Sequence, residues 1–227
     1  MTEDSALLSL AAASIALVGT HFALSHPLRS PLVRSLCETG FTLVYSLVAL
    51  GCITWMYLAF TAAPAADLPG SGEGGWIIAS LLTIPALVLF AGSLRRNPAF
   101  PAPGAGRLAA AEPHGVFRIT RHPMMWGFAL WALAHLVLLW SWRTTIVALA
   151  VLVLALVGAR LQDRKKEVLM GADWSGWEAR TTYWPQLSGF RGVGIGLWLI
   201  ALVGWLGMTW WHIRAGGIPA GIWRWVD

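Results

Sequence analysis

The chain is poor in charge. Of its 227 residues only 12% are Asp, Glu, Lys or Arg, and the acidic residues number 11. A surface that sparse in charge cannot keep a soluble globule of this size in solution, and with 57% hydrophobic residues and a mean hydropathy of +0.63 it excludes one. Cysteine is nearly absent. Cys37 and Cys52 are the two thiols, too few for a disulfide framework. No closely spaced His/Cys pair and no HExxH occurs, which argues against a dedicated zinc site. A basic leader is also lacking. Glu3 and Asp4 stand where a cleaved signal peptide carries positive charge, so the first apolar run reads as a retained helix. There is no internal repeat, and the glycines at 192, 194 and 196 follow no strand. They point to close helix packing and not to a dinucleotide loop.

What the chain does have is apolar runs of spanning length. Residues 5–24, 41–62, 76–94, 123–141, 144–161 and 193–212 each approach the ~20 residues that cross a bilayer core of ~30 Å. In lipid the backbone must satisfy its own hydrogen bonds, so these runs predict an all-α polytopic bundle of about six transmembrane helices in a single domain, 1–227. The lipid bilayer is then the first partner. The expected cellular place is a membrane, crossed several times. Arg29 and Arg34, then Arg95, Arg96, Arg107, Arg118 and Arg121, then Arg160, Arg164, Lys165, Lys166, Arg180 and Arg191 fall in the first, third and fifth connections. Only Arg143, Arg214 and Arg224 lie on the other side, so both termini are expected outside and the basic face in the cytoplasm. The net charge of +5 is therefore a topology signal that requires no nucleic acid. Most of the tryptophans, Trp76 and Trp140 among them, fall near predicted helix ends, as interfacial belts do.

The segment Gly-Val-Phe-Arg-Ile-Thr-Arg-His-Pro-Met-Met-Trp-Gly (115–127) concentrates the chemistry. Pro123 suits the first turn of a helix, and Arg121 and His122 then sit beside that helix's free N–H groups. After the fifth run, Asp163 and Glu167 are one i,i+4 step apart and share a face if the helix continues. Trp174 and Trp177 are also at helical spacing, as in an amphipathic interfacial helix. That segment returns Arg180 to the face that carries Arg121 and His122, and the two stretches are expected to close over one cytoplasmic-side cavity. Among the six histidines, depth pairs His21 with His122. His135 lies thirteen residues, roughly 20 Å, further along its helix. His212 is the residue expected to approach His135.

These stretches resemble the NnrU family of bacterial membrane proteins. The likeness runs through Gly-Thr-His-Phe-Ala-Leu-Ser-His-Pro-Leu-Arg (19–29), the arginine–histidine–proline segment through His135, and Asp163-Arg-Lys with Ala-Arg-Thr-Thr-Tyr-Trp-Pro (179–185). Plant 15-cis-zeta-carotene isomerases look like relatives, sharing the arginine–histidine–proline motif and a histidine thirteen residues later. The resemblance implies a b-type haem held by histidines, with His21, His122 and His135 as iron-ligand candidates and Arg118, Arg121 and Arg180 as partners of its propionates. It further implies isomerase or redox chemistry on a lipid-soluble or small substrate, and a link to nitrite and nitric oxide metabolism. A more distant similarity is to isoprenylcysteine and phospholipid methyltransferases. It implies S-adenosylmethionine held near His122, Arg121 and Asp163, although the paired glutamates usual there are replaced by Asp163 followed by Arg164. A third reading is a non-enzymatic maturation factor for a respiratory reductase.

Overall fold

A computed structural model describes residues 2–100 and 104–226; residues 101–103 of the Pro/Gly/Ala-rich connection lie outside the described part. Every regular element among the described residues is helical. The long ones are α1 (Glu3–Ser25), α2 (Arg29–Ala62), α3 (Gly72–Ser93), α5 (Pro123–Leu138), α6 (Trp142–Met170) and α8 (Ile195–Gly216). Two short helices, α4 (Ala105–Ala110) and α7 (Ala172–Arg180), lie between them. Five of the long helices are apolar and long enough to cross a membrane, and α5, at 16 residues, is the short sixth. Their outward faces carry Leu8, Ile15, Leu43, Leu47, Leu81 and Val203, all more than half exposed. A soluble protein would not tolerate so much bare hydrocarbon, whereas lipid solvates it. The chain is a multi-pass membrane protein.

Two compact units make up the chain. The first comprises the residues up to Gly70 with Leu139–Leu154, and the second Ser71–Leu138 with the residues from Ala155 onward.

In the first unit α1 packs on α2. Thr2 caps α1, its hydroxyl accepting from the Ser5 N–H at 3.3 Å, and Glu3 and Asp4 complement the positive end of the helix dipole. The apolar run at 41–62 puts Cys37 outside the expected second helix. Instead α2 begins at Arg29 and absorbs the thiol, with a local break at Cys37 (φ 56°, ψ 175°) inside the helix. Arg143, at the start of α6, donates to the Phe60 and Ala63 carbonyls at 3.3 and 3.0 Å and lies over the Phe60 ring. A cation thus closes the C-terminal end of α2, where the dipole favours one.

In the second unit α3 packs against α5 and α8. Small residues allow the first approach: Ala79 and Ala86 on α3 and Ala129, Ala132 and Ala134 on α5 are all buried. Gly127 is the closest point, because a Cβ there would sit 2.8 Å from the Ala86 carbonyl oxygen and 3.2 Å from the Phe90 nitrogen. Gly127→Val is therefore expected to cost about 1–3 kcal/mol by forcing the helices apart, read as a lower thermal midpoint in detergent. An unchanged midpoint would show that the pair is not packed this tightly. The glycines at 194 and 196 have open space where a Cβ would be, and at 192 a Cβ would meet only the Arg118 side chain at ordinary contact distance. The close-packing role expected of that trio falls instead to Gly127 and Gly92. Trp76 also departs from the expected belt, since it is 7% exposed and its ring lies under the Arg224 guanidinium.

Candidate functional site

Backbone pairing builds the site. The Arg121 N–H donates to the Thr182 carbonyl at 2.8 Å, and the Gln186 N–H donates to the Ile119 carbonyl at 2.8 Å. Two side chains fix the same register: Thr120 Oγ1 and Trp126 Nε1 both donate to the Tyr183 carbonyl, at 2.7 and 2.9 Å. The Arg-Thr-Thr-Tyr-Trp-Pro segment therefore runs along the residues that lead into α5, although none of its residues borders the small cavity there. Pro123 takes the first helical position, and the His122 carbonyl accepts the first helical bond from Trp126.

α6 continues past the apolar run to Met170 and delivers Asp163 to this junction. The Asp163 carboxylate is the hub. It accepts from Arg121 Nε at 3.1 and 3.0 Å and from Arg121 Nη2 at 2.8 Å. It also accepts from His122 Nε2 at 2.7 Å. Arg121 Nη2 reaches a second carboxylate, Glu178 of α7, at 3.1 Å. The Asp163 side chain is 8% exposed and that of His122 fully buried, so these charge-assisted bonds operate in a low local dielectric. Burial, then the charge of Asp163, holds the Glu178 carboxyl above its usual range, against the opposing pull of Arg121. Tyr183 packs edge-on against His122, with Arg121 and Arg160 over its ring, and burial raises its phenol.

Because an ionised Asp163 only accepts, His122 Nε2 carries the proton of that bond. His122 Nδ1 is then a buried polar atom without a partner. A small cavity near the start of α5 is bordered by Asn97, Phe100, Arg121, His122, Met124, Met125 and Gln162.

Of the residues picked out in sequence, Arg121, His122 and Asp163 come together, and Glu178 is the member that reading missed. Its signal was its place beside Trp177 in a segment recognised as helical. Arg118 and Arg180 serve backbone instead. Arg118 Nε donates to the Pro113 carbonyl at 3.2 Å, and Arg180 donates to the Ala109 and Ala110 carbonyls at the end of α4. His21 belongs to the first unit, where the Tyr45 hydroxyl lies 2.6 Å from its Nε2.

His135 meets His212. The rings are stacked, with centroids 6.4 Å apart and planes inclined by 29°. Each ring is anchored one turn back, His135 Nδ1 to the Trp131 carbonyl at 2.8 Å and His212 Nδ1 to the Met208 carbonyl at 2.7 Å. A carbonyl can only accept, so Nδ1 is the protonated nitrogen in both and Nε2 keeps its lone pair. Trp131 packs against His135 at 4.1 Å between centroids. No cluster of three or more His, Cys, Asp or Glu suited to a metal ion occurs among the described residues.

No curated protein and no solved structure is significantly similar to the chain. The family described as NnrU protein matches residues 9–220, a stretch that takes in α2 to α8, the Arg121–His122–Asp163 hub and the His135–His212 pair. The chain belongs to the NnrU family.

Proposed function

We propose that this NnrU-family protein is a b-haem-binding redox protein of the bacterial inner membrane, with its iron held by His135 and His212. The observation that carries the reading is the state of that pair. Two imidazoles from α5 and α8 face each other, each with Nδ1 spent on its own helix and Nε2 available. This is the tautomer a metal-binding histidine needs, and a backbone anchor on the far nitrogen is the usual device for fixing it. Two neutral imidazoles with Nε2 free are a donor set of the kind haem iron takes.

Haem held by His135 and His212 would supply one-electron transfer. The chain's own residues do the rest. The Trp131 and Met208 carbonyls orient the rings, Nδ1 keeps its proton on each histidine, and the Trp131 indole shields His135. Arg118, Arg121 and Arg180 are spent on protein partners near the start of α5, about 20 Å along the helix from His135. They are unsuited to propionates of a group at this pair. The methyltransferase reading is weaker for a similar reason, since the oxygens of Asp163 are already filled by Arg121 and His122.

The test is the visible spectrum of detergent-purified protein, oxidised and dithionite-reduced, from cells supplied with haem precursor. A Soret band that shifts on reduction, near one haem per chain, is expected. His135→Ala and His212→Ala should each lower haem content at least tenfold, while His21→Ala and His122→Ala keep it. Full haem content in both the His135 and His212 variants, or no haem in the natural protein, would overturn the proposal.

A further inference from the structure

Two arginines of the second unit stand beside each other without a carboxylate. Arg118 spends one nitrogen, Nε, on the Pro113 carbonyl at 3.2 Å, and its two terminal nitrogens meet no partner among the described residues. Arg191 is exposed and makes no hydrogen bond or ion pair among them. Close backbone packing brings the two together. A Cβ at Gly189 would lie 2.7 Å from the Arg118 carbonyl oxygen, so the turn Leu187–Gly192 presses on the turn Gly115–Arg118. A Cβ at Gly192 would lie 3.5 Å from Arg118 Nη1, which sets that guanidinium against the residue next to Arg191. The carboxylates of the neighbouring connections are committed elsewhere, Glu112 to Arg180 at 3.8 Å and Glu178 to Arg121 at 3.1 Å. Uncompensated like charges so placed favour an anion.

The same turn is apolar and bare. None of its residues is buried, Leu187 is 80% exposed, and Trp184 just ahead of it is 64% exposed. Tryptophan and leucine beside arginine are the composition of a segment lying at a bilayer boundary. α8 starts directly afterwards and carries Ile195, Leu199 and Val203, all more than half exposed, at i, i+4 and i+8. That spacing makes one apolar stripe running from the arginines into the membrane.

We propose that Arg118 and Arg191 hold the phosphate of one anionic phospholipid, whose acyl chain lies along Ile195, Leu199 and Val203. Guanidinium suits phosphate because its planar fork offers paired N–H donors. A zwitterionic lipid brings its own cation to the same phosphate and gains less from the pair. A free phosphate leaves the stripe unused. Diffuse attraction of anionic lipid to a basic face, by contrast, needs neither this pair nor this stripe.

The test is native mass spectrometry of the full-length protein in detergent, titrated with phosphatidylglycerol or with phosphatidylcholine. One retained phosphatidylglycerol per chain is expected, held about tenfold more tightly than phosphatidylcholine. Arg118→Gln and Arg191→Gln should each weaken its retention about fivefold. Arg34→Gln removes the same charge from an exposed arginine of the first unit and should leave retention unchanged. All three side chains are exposed, so the fold should survive each change. Glycerol 3-phosphate, the headgroup without its chains, should not compete. Equal retention of the two lipids, or an equal loss in all three variants, would reduce the contact to general lipid solvation or diffuse charge and overturn the assignment. Competition by glycerol 3-phosphate would make this a site for free phosphate and would overturn it too.

Discussion

Asp163→Leu is expected to cost about 3–5 kcal/mol of folding stability, more than any other charge removal in this chain. The reason is what it leaves behind. One carboxylate satisfies both Arg121 and His122, and the side chains of all three are at most 14% exposed. Without it, the guanidinium keeps only Glu178 and the imidazole has no partner on either nitrogen. The penalty is thus that of uncompensated buried groups, not the net worth of the ion pair. Two comparisons separate these quantities. Replacing Arg121, His122 and Asp163 together by leucine removes the charges with their partner and should recover part of the loss. Arg29→Ala breaks a pair whose Glu38 side chain is 65% exposed and should change stability by about 0–1 kcal/mol. Thermal unfolding in detergent, followed by tryptophan fluorescence, measures all three. If Asp163→Leu stays within about 1 kcal/mol of the natural protein, the hub is not structural.

The same hub shows how far the sequence can be read. Spanning helices announce themselves through length and apolarity, because the bilayer dictates both, and a helix stands at each of the six expected runs, five of them long enough to span. Arg121, His122 and Asp163 were legible because ionisable groups beside apolar runs are costly and call for a reason. Glu178 was not, since acidic residues in a polar connection are ordinary. Whether they meet a partner depends on a turn around Gly171 whose φ of 54° has no reliable signature in one sequence. The break at Cys37 and the helical start at Arg29 were hidden likewise, because polar residues beside a span read equally well as loop or as helix. Depth along an idealised helix did foresee that His212 would approach His135. It said nothing about which ring nitrogens would be left free, and the chemistry depends on that.

Trp177→Ala is expected to destabilise the second unit by about 3–5 kcal/mol. The sequence suggested an interfacial helix, yet Trp174 and Trp177 are 0% and 1% exposed, and Trp177 meets Phe117 edge to face at 5.7 Å. Location gives this burial its weight. α7 is nine residues long with a polar sequence, packs on α4, and is not among the spanning helices. Its aromatic face is therefore withdrawn from water, and the hydrophobic effect applies in full. Leu47 on α2 is 57% exposed toward the lipid side, where a hydrocarbon neighbour replaces it at little loss. Leu47→Ala should accordingly stay within about 0.5 kcal/mol. The indole N–H groups of Trp174 and Trp177 have no hydrogen-bond partners. Trp177→Phe keeps the aromatic contact, loses only an unpaired donor, and should cost well under half of what alanine does. An equal cost for phenylalanine and alanine would mean that the indole's full size or an unseen partner fixes α7. A loss below 1 kcal/mol in Trp177→Ala would mean that α7 is not docked in solution. The readout extends to the site itself, because α7 carries Glu178. Trp177→Ala should therefore also loosen the Glu178–Arg121 contact.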